Sequence, residues 1–169
     1  MDIFEALFTR RSIRVFTPEP VSDDDVTVML KAAMLAPSAN NCQPWHFVVI
    51  RDKKVRGAFA ERHPYAKMAA ESPVVIVVCG NTAEEKPHGF WVQDCSAATQ
   101  NLMLAARGRN LGTVWCGLYP VEDRAALARD ILHLPDGVIP LSLVAVGHTT
   151  QPFFEADRFK KNRIHYDTW

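Results

Sequence analysis

Apolar side chains at Ile3, Phe4, Leu7 and Phe8 recur at helical spacing and predict a short amphipathic helix that feeds directly into the polar stretch RRSIRVF, residues 10–16. A second helix is predicted over about 23–36. Ser22 is placed to cap it, Asp25 sits in the capping-box position, Asp23, Asp24 and Asp25 load its first turn with acid, and Pro37 stops it. PWHFVVIRD reads as a strand ending at Asp52, and KKVRGAFAERH returns to helical spacing. The unbroken β-branched run in SPVVIVVCGN predicts a central strand covered on both faces. From Phe90 to Arg109 the apolar positions cover most of a helix circumference, and the small residues at 96–98 allow close packing, so this helix is expected to be buried and to organise the fold or a dimer. LGTVWCGLYP then predicts a strand ending in a turn, EDRAALARDILH a helix, PDG a turn and IPLSLVAVGH a last long strand. Residues 150–169 mix polar and aromatic side chains without clear period. Alternating strands and helices of this kind point to an α/β or α+β layered sheet of four or five strands.

Length and charge narrow the picture. With 169 residues, 48% of them apolar, the chain suffices for one core, and a single domain over 1–169 is expected. The 19 basic and 19 acidic residues cancel, which argues against nucleic acid as a partner. The start MDIFEALFTRR lacks the basic head and long apolar core of a secretion signal, and PVVIVVCG is strand-sized rather than membrane-sized, so a soluble, cytoplasmic protein without a membrane partner is expected. Cys42, Cys79, Cys95 and Cys116 show no metal-like spacing and are expected to be free thiols. The six histidines are dispersed without an i,i+4 pair, so no metal is expected, and His46 is read as structural.

Two stretches carry candidate chemistry. Arg10, Arg11 and Arg14 crowd three guanidiniums into five residues, at a repulsion of roughly 1 kcal/mol per close pair near a surface, unless an anion lies between them. Arg10, Arg14 and the Ser12 hydroxyl could converge on a phosphate. The alternative is a solvated helix end whose arginines pair with acids such as Glu5 or Asp23. In APSANNCQPWHF, residues 36–47, the small or amide-bearing Ser38, Ala39, Asn40, Asn41 and Gln43 offer many hydrogen-bonding groups with little bulk, suited to the edge of a flat heteroaromatic ring or to an ordinary polar loop.

Taken together, RRSIR at 10–14, PSANNCQPW at 37–45, WVQDCSAATQNLMLAA and LGTVWCG resemble, in this order and spacing, the FMN-dependent nitroreductase family, and in particular its short members without a long inserted lid. The resemblance covers nearly the whole chain. It implies an α+β fold, a three-layer α/β/α arrangement with a central mixed four- to five-stranded sheet, in an intertwined homodimer with FMN at the subunit interface. It implies phosphate or ribityl contacts from Arg10 and Ser12 with Arg11 assisting, and a cation from Arg14 beside flavin N1 and O2, where reduction places negative charge. Pro37, Ser38, Ala39, Asn41 and Gln43 match the segment laid against the ring by the partner subunit. Cys116 and Gly117 match the turn whose backbone N–H faces flavin N5, with no thiol chemistry for Cys116. Arg158 is the best match to a C-terminal phosphate ligand, with Lys160 and Lys161 as alternates. PYAKMAAESP offers no clear equivalent of a polar flavin contact made elsewhere in the family.

The implied activity is ping-pong oxidation of NADH or NADPH with reduction of a small-molecule acceptor, such as a nitroaromatic or quinone, and no obligatory catalytic side chain. The absence of G-x-G-x-x-G means that the nicotinamide would share the flavin pocket. An FMN carrier or sensor without NAD(P)H turnover, or another reductive reaction such as dehalogenation, are the other readings. The side chains that gate the ring are expected around 63–72 and 84–91.

Overall fold

The computed structural model describes residues 1–169. In chain order the elements are α1 (Ile3–Thr9), α2 (Asp23–Met34), β1 (Trp45–Ile50), α3 (Lys53–Arg62), β2 (Val74–Asn81), α4 (Trp91–Gly108), β3 (Gly112–Gly117), α5 (Glu122–Leu132) and β4 (Val138–Gly147). Single 3-10 turns lie at Ala39–Asn41, Lys67–Ala69 and Lys161–Arg163. The Ser22 hydroxyl accepts from the Asp25 N–H and bonds the Asp25 carboxylate, as the capping-box spacing predicts. The helix ends at Met34 rather than 36, because Pro37 disfavours helical backbone before it and Leu35 already closes the last turn.

The sheet runs β1-β2-β4-β3. All three ladders are antiparallel. The mixed sheet of four or five strands that the resemblance implies is therefore four-stranded, and its parallel component shrinks to one isolated bridge between Ser12 and Thr113. The reason is local: residues 10–16 run along the free edge of β3 but bond it only through Ile13 N–H to the Thr113 carbonyl, too little for a ladder.

Alternate side chains of the two inner strands feed two cores. Val74, Ile76 and Val78 of β2 and Val144 and Val146 of β4 pack under α2 and α4. Val75, Val77 and Cys79 with Leu143 and Ala145 pack on the opposite face with Phe59 of α3 and Ala128 of α5. This two-sided burial is what the unbroken apolar run of SPVVIVVCGN encodes. The β2–β4 register slips at Val78/Cys79, opposite Pro140, which has no N–H to give the ladder.

α4 presents Cys95, Ala98, Leu102 and Ala106 to the sheet. Its N-terminus lacks a side-chain cap from the preceding residue; the buried Glu85 carboxylate instead accepts from Gly89 N–H and Trp91 N–H, both at 2.9 Å. No helix is long and apolar enough to cross a membrane.

Gly112, where β3 begins, sets how closely the arginine segment approaches the sheet. A Cβ at this position would lie 2.6 Å from Ile13 Cγ2 and 2.8 Å from Ile13 Cβ. Gly112→Ala is expected to lower stability by ~1–3 kcal/mol through overpacking. Gly57→Ala, in open space on α3, is expected to be neutral or slightly stabilising. Thermal melts of both variants check the contrast, and equal melting points would refute it.

Candidate functional site

The arginine segment is held chiefly through its backbone. Ile13 N–H donates to Thr113 O, Thr17 N–H to His148 O, and the Gln151 side-chain oxygen accepts from Arg14 N–H at 2.8 Å and Val15 N–H at 3.0 Å. Thr149 Oγ1 donates to Val15 O. Only the Ile13 side chain is buried; Ser12 and Arg14 are exposed and free to meet a ligand. Gln151, to which no sequence signal pointed, thus positions Arg14.

Arg11, Ser12, Arg14 and Arg158 line one recess with Gln151 and Phe154. None of Arg10, Arg11, Arg14 or Arg158 is paired with a carboxylate. The two acids that the acid-paired alternative names are engaged elsewhere: Glu5 lies 3.8 Å from Arg107, and Asp23 is 2.8 Å from Arg51. Burial, with the charges of Arg11 and Arg158, depresses the Arg10 pKa. Arg11 donates to the Phe8 and Arg10 carbonyls, its guanidinium lies 5.3 Å from the Phe154 ring centroid, and its buried Nε has no partner. A gathering of cations around one hydroxyl with no internal counter-charge fits a phosphate group. The pairing of these arginines with Glu5 or Asp23 does not form.

A second cleft, of about 430 Å³, opens on the other side of Arg14. Besides Arg14 its lining includes Tyr65, Lys67, Met68, Trp115, Cys116 and Gly117. The sequence places gating residues around 63–72, and that stretch does form one wall; residues 84–91 do not line the cleft. Within PYAKMAAESP, where the sequence offers no clear polar flavin contact, Lys67 is a polar residue in the cleft lining. The wall is stapled to β3: Cys116 Sγ donates to Tyr65 O at 3.2 Å. His63 accepts from Tyr65 N–H through Nδ1 at 3.2 Å, which leaves Nε2–H to donate to Gly117 O at 3.3 Å. Cys116 is buried, and burial raises its thiol pKa, consistent with an inert sulfur.

The segment around Pro37, Ser38, Ala39, Asn41 and Gln43 lines neither opening. It is pinned at the N-terminal end of α4, where Ala39 N–H donates to Asp94 Oδ1 at 3.0 Å and Asn40 Nδ2 donates to Lys86 O. Asn40, Asn41 and Gln43 all have positive φ, so the loop holds a shape that costs on the order of 1 kcal/mol at each such residue. The arginine segment meets the opposite end of α4, where Arg107 Nε donates to Thr9 Oγ1. Asp94 and Arg107 are thirteen residues apart on that helix, or roughly 20 Å at its rise per residue. Within one chain the two motifs do not meet. Lys160 and Lys161, the alternates to Arg158, stay outside the recess. His46 is exposed on β1 and bonds Glu84 at 3.0 Å.

A cation-rich recess joined through one arginine to a cleft of mixed apolar and basic lining, on a four-stranded sheet with five helices, has the shape and charge to accept a flat ligand with an anionic tail. The family model of the Nitroreductase family matches in two overlapping stretches, 7–63 and 57–148, and the chain belongs to that family. It is 44% identical over 172 residues to an Archaeoglobus fulgidus protein provisionally named NADH dehydrogenase/NAD(P)H nitroreductase, with 99% of both chains covered. A crystal structure of a protein with the same provisional name from Parabacteroides distasonis superposes with a TM-score of 0.95 at 36% identity, covering 99% of this chain and 98% of the other. A Desulfovibrio desulfuricans protein provisionally named a nitroreductase, solved in complex with FMN, gives 0.85 at 30% identity, covering 99% and 97%.

The pKa of buried His63 is lowered, first by burial and further by the charge of Arg124, against the opposing bond to the Gly117 carbonyl. The unfolded chain therefore takes up the proton first as pH falls through the ordinary histidine value of 6.5. Stability supplied by neutral His63 is fully present above that value and diminishes below it. The melting temperature is expected to fall more steeply below that pH in the wild type than in His63→Gln. Parallel profiles would contradict it.

Proposed function

We propose that the protein is an FMN-dependent NAD(P)H oxidoreductase that reduces flat, electron-poor acceptors such as nitroaromatics or quinones. The observation that carries the reading is the set of carboxylate-free guanidiniums at Arg10, Arg11, Arg14 and Arg158 around Ser12, continuous through Arg14 with the cleft at Cys116 and Gly117. Bound FMN would supply two-electron redox chemistry, exchanging a hydride equivalent with NADH or NADPH and passing the electrons to the acceptor. Arg10, Ser12 and Arg158, with Arg11 behind them, hold the phosphate end. Arg14 and Lys67 would hold positive charge beside the ring, which would favour its reduced, more negative state. The Cys116–Gly117 backbone would offer it main-chain N–H groups, and the staples from His63 and Cys116 keep that turn fixed. No side chain is required to move a proton.

The remaining contacts come from a second copy of this chain. Pro37, Ser38, Ala39, Asn41 and Gln43 form a fixed, strained, hydrogen-bonding loop at the N-terminal end of α4 that lines neither the recess nor the cleft of its own chain, and a partner in the opposite sense would lay that loop over the other protomer's ring. An apolar surface supports such a pairing: a cleft of about 410 Å³ between α1, α2 and α4 is lined by Ile3, Ala6, Leu35 and Leu104 among others, and Leu35 is 82% exposed.

The purified protein is expected to be yellow, with about one FMN per chain, and to be bleached by NADH or NADPH without oxygen. Arg14→Gln is expected to weaken FMN binding about tenfold and to make the flavin midpoint potential more negative. Flavin that neither nucleotide reduces would favour a carrier or sensor, and a colourless protein that refuses added FMN would overturn the reading.

A further inference from the structure

We propose that Tyr65, in the lining of the cleft, and Arg124, which adjoins the lining residues Tyr65 and Gly117, recognise the anionic substituent of an aromatic electron acceptor, so that ring carboxylates or sulfonates are preferred over their neutral analogues. The inference rests on the oxidoreductase reading and deepens it by naming the substrate class. Tyr65 is 65% exposed, although its backbone is held at both ends, its N–H by His63 and its carbonyl by the Cys116 thiol. A single exposed aromatic is ordinary. This one stands on a fixed support in the lining of the cleft, with the Arg124 guanidinium 5.0 Å from its ring centroid. Stacking of this kind orients the guanidinium without using up its N–H donors.

Arg124 belongs to the first turn of α5, and no carboxylate pairs with it. Its one polar contact is a long 3.5 Å approach of NH1 to Gly117 O. Glu122 and Asp123 precede it in the same turn, but Asp123 faces a separate surface depression with Arg62 and Asp130. The cleft lining contains Arg14 and Lys67 and no acid. Those two cations serve the flavin in the reading above, which leaves Arg124 as the donor set with no assigned partner. A flat acceptor lying over a flavin bound in the cleft would meet Tyr65 with its ring and Arg124 with its negative group, through a charge-assisted bidentate pair.

The test compares 4-nitrobenzoate with 4-nitrobenzamide, which match in shape and differ in charge. Binding to the oxidised, purified protein is followed by equilibrium dialysis and by quenching of tryptophan fluorescence, since Trp115 lines the cleft. The benzoate is expected to bind about tenfold more tightly than the amide, with the margin shrinking as salt rises. Arg124→Gln should remove the margin by weakening the benzoate alone, Arg124→Lys should keep part of it, and Tyr65→Ala should weaken both ligands. Equal affinities in the wild type, or a preference that survives Arg124→Gln, would overturn the proposal. An Arg124→Gln defect confined to flavin reduction by NADPH, with NADH and both nitro compounds unaffected, would assign the guanidinium to the donor's phosphate and overturn it as well. Dialysis needs no turnover. A protein bleached by neither nucleotide would therefore count against the oxidoreductase reading, while the affinities still decide the anion site.

Discussion

Uncompensated positive charge on a rigid edge is the constraint around which the rest of this structure is arranged. Arg10, Arg11, Arg14 and Arg158 are brought together with no carboxylate paired to any of them, while Glu5 and Asp23 are committed to Arg107 and Arg51. Such a cluster persists only because its backbone is fixed by bonds to β3, to the chain after β4 and to Gln151. The repulsion stored there would be relieved by an anion bound among the guanidiniums. The close approach of Ile13 to Gly112 and the backing of Gly147 by Phe16 and Pro73 are the steric side of the same arrangement.

The elements were legible because each was written by a local rule. The β-branched run of β2 can be satisfied only by two covered faces, and it has them. Ser22 and Asp25 announced α2 through a cap that forms as spelled. The free thiols were legible in the absence of metal-like cysteine spacing. The antiparallel sheet was less accessible, since strand direction depends on how the chain returns and not on the composition of any strand.

The site was legible in halves. RRSIR and PSANNCQPW could be named as polar motifs, but no local rule says that they occupy opposite ends of α4. Lys67, Tyr65 and Gln151 were harder still: a lysine in a short 3-10 turn, a tyrosine beside a proline and a glutamine in the tail look like any surface residue. What sets them apart is what they touch, namely the cleft beside Arg14, the guanidinium of Arg124 and the N–H groups of Arg14 and Val15.

The backbone anchoring of residues 12–17 has an evolutionary consequence. Because the bonds that dock this segment come from main-chain N–H and C=O groups, with Ile13 as its fully buried side chain, the outward residues form an alphabet that mutation can rewrite without undocking the strand. A lineage could change what this edge recognises, one outward side chain at a time, while the sheet beneath it remained the same.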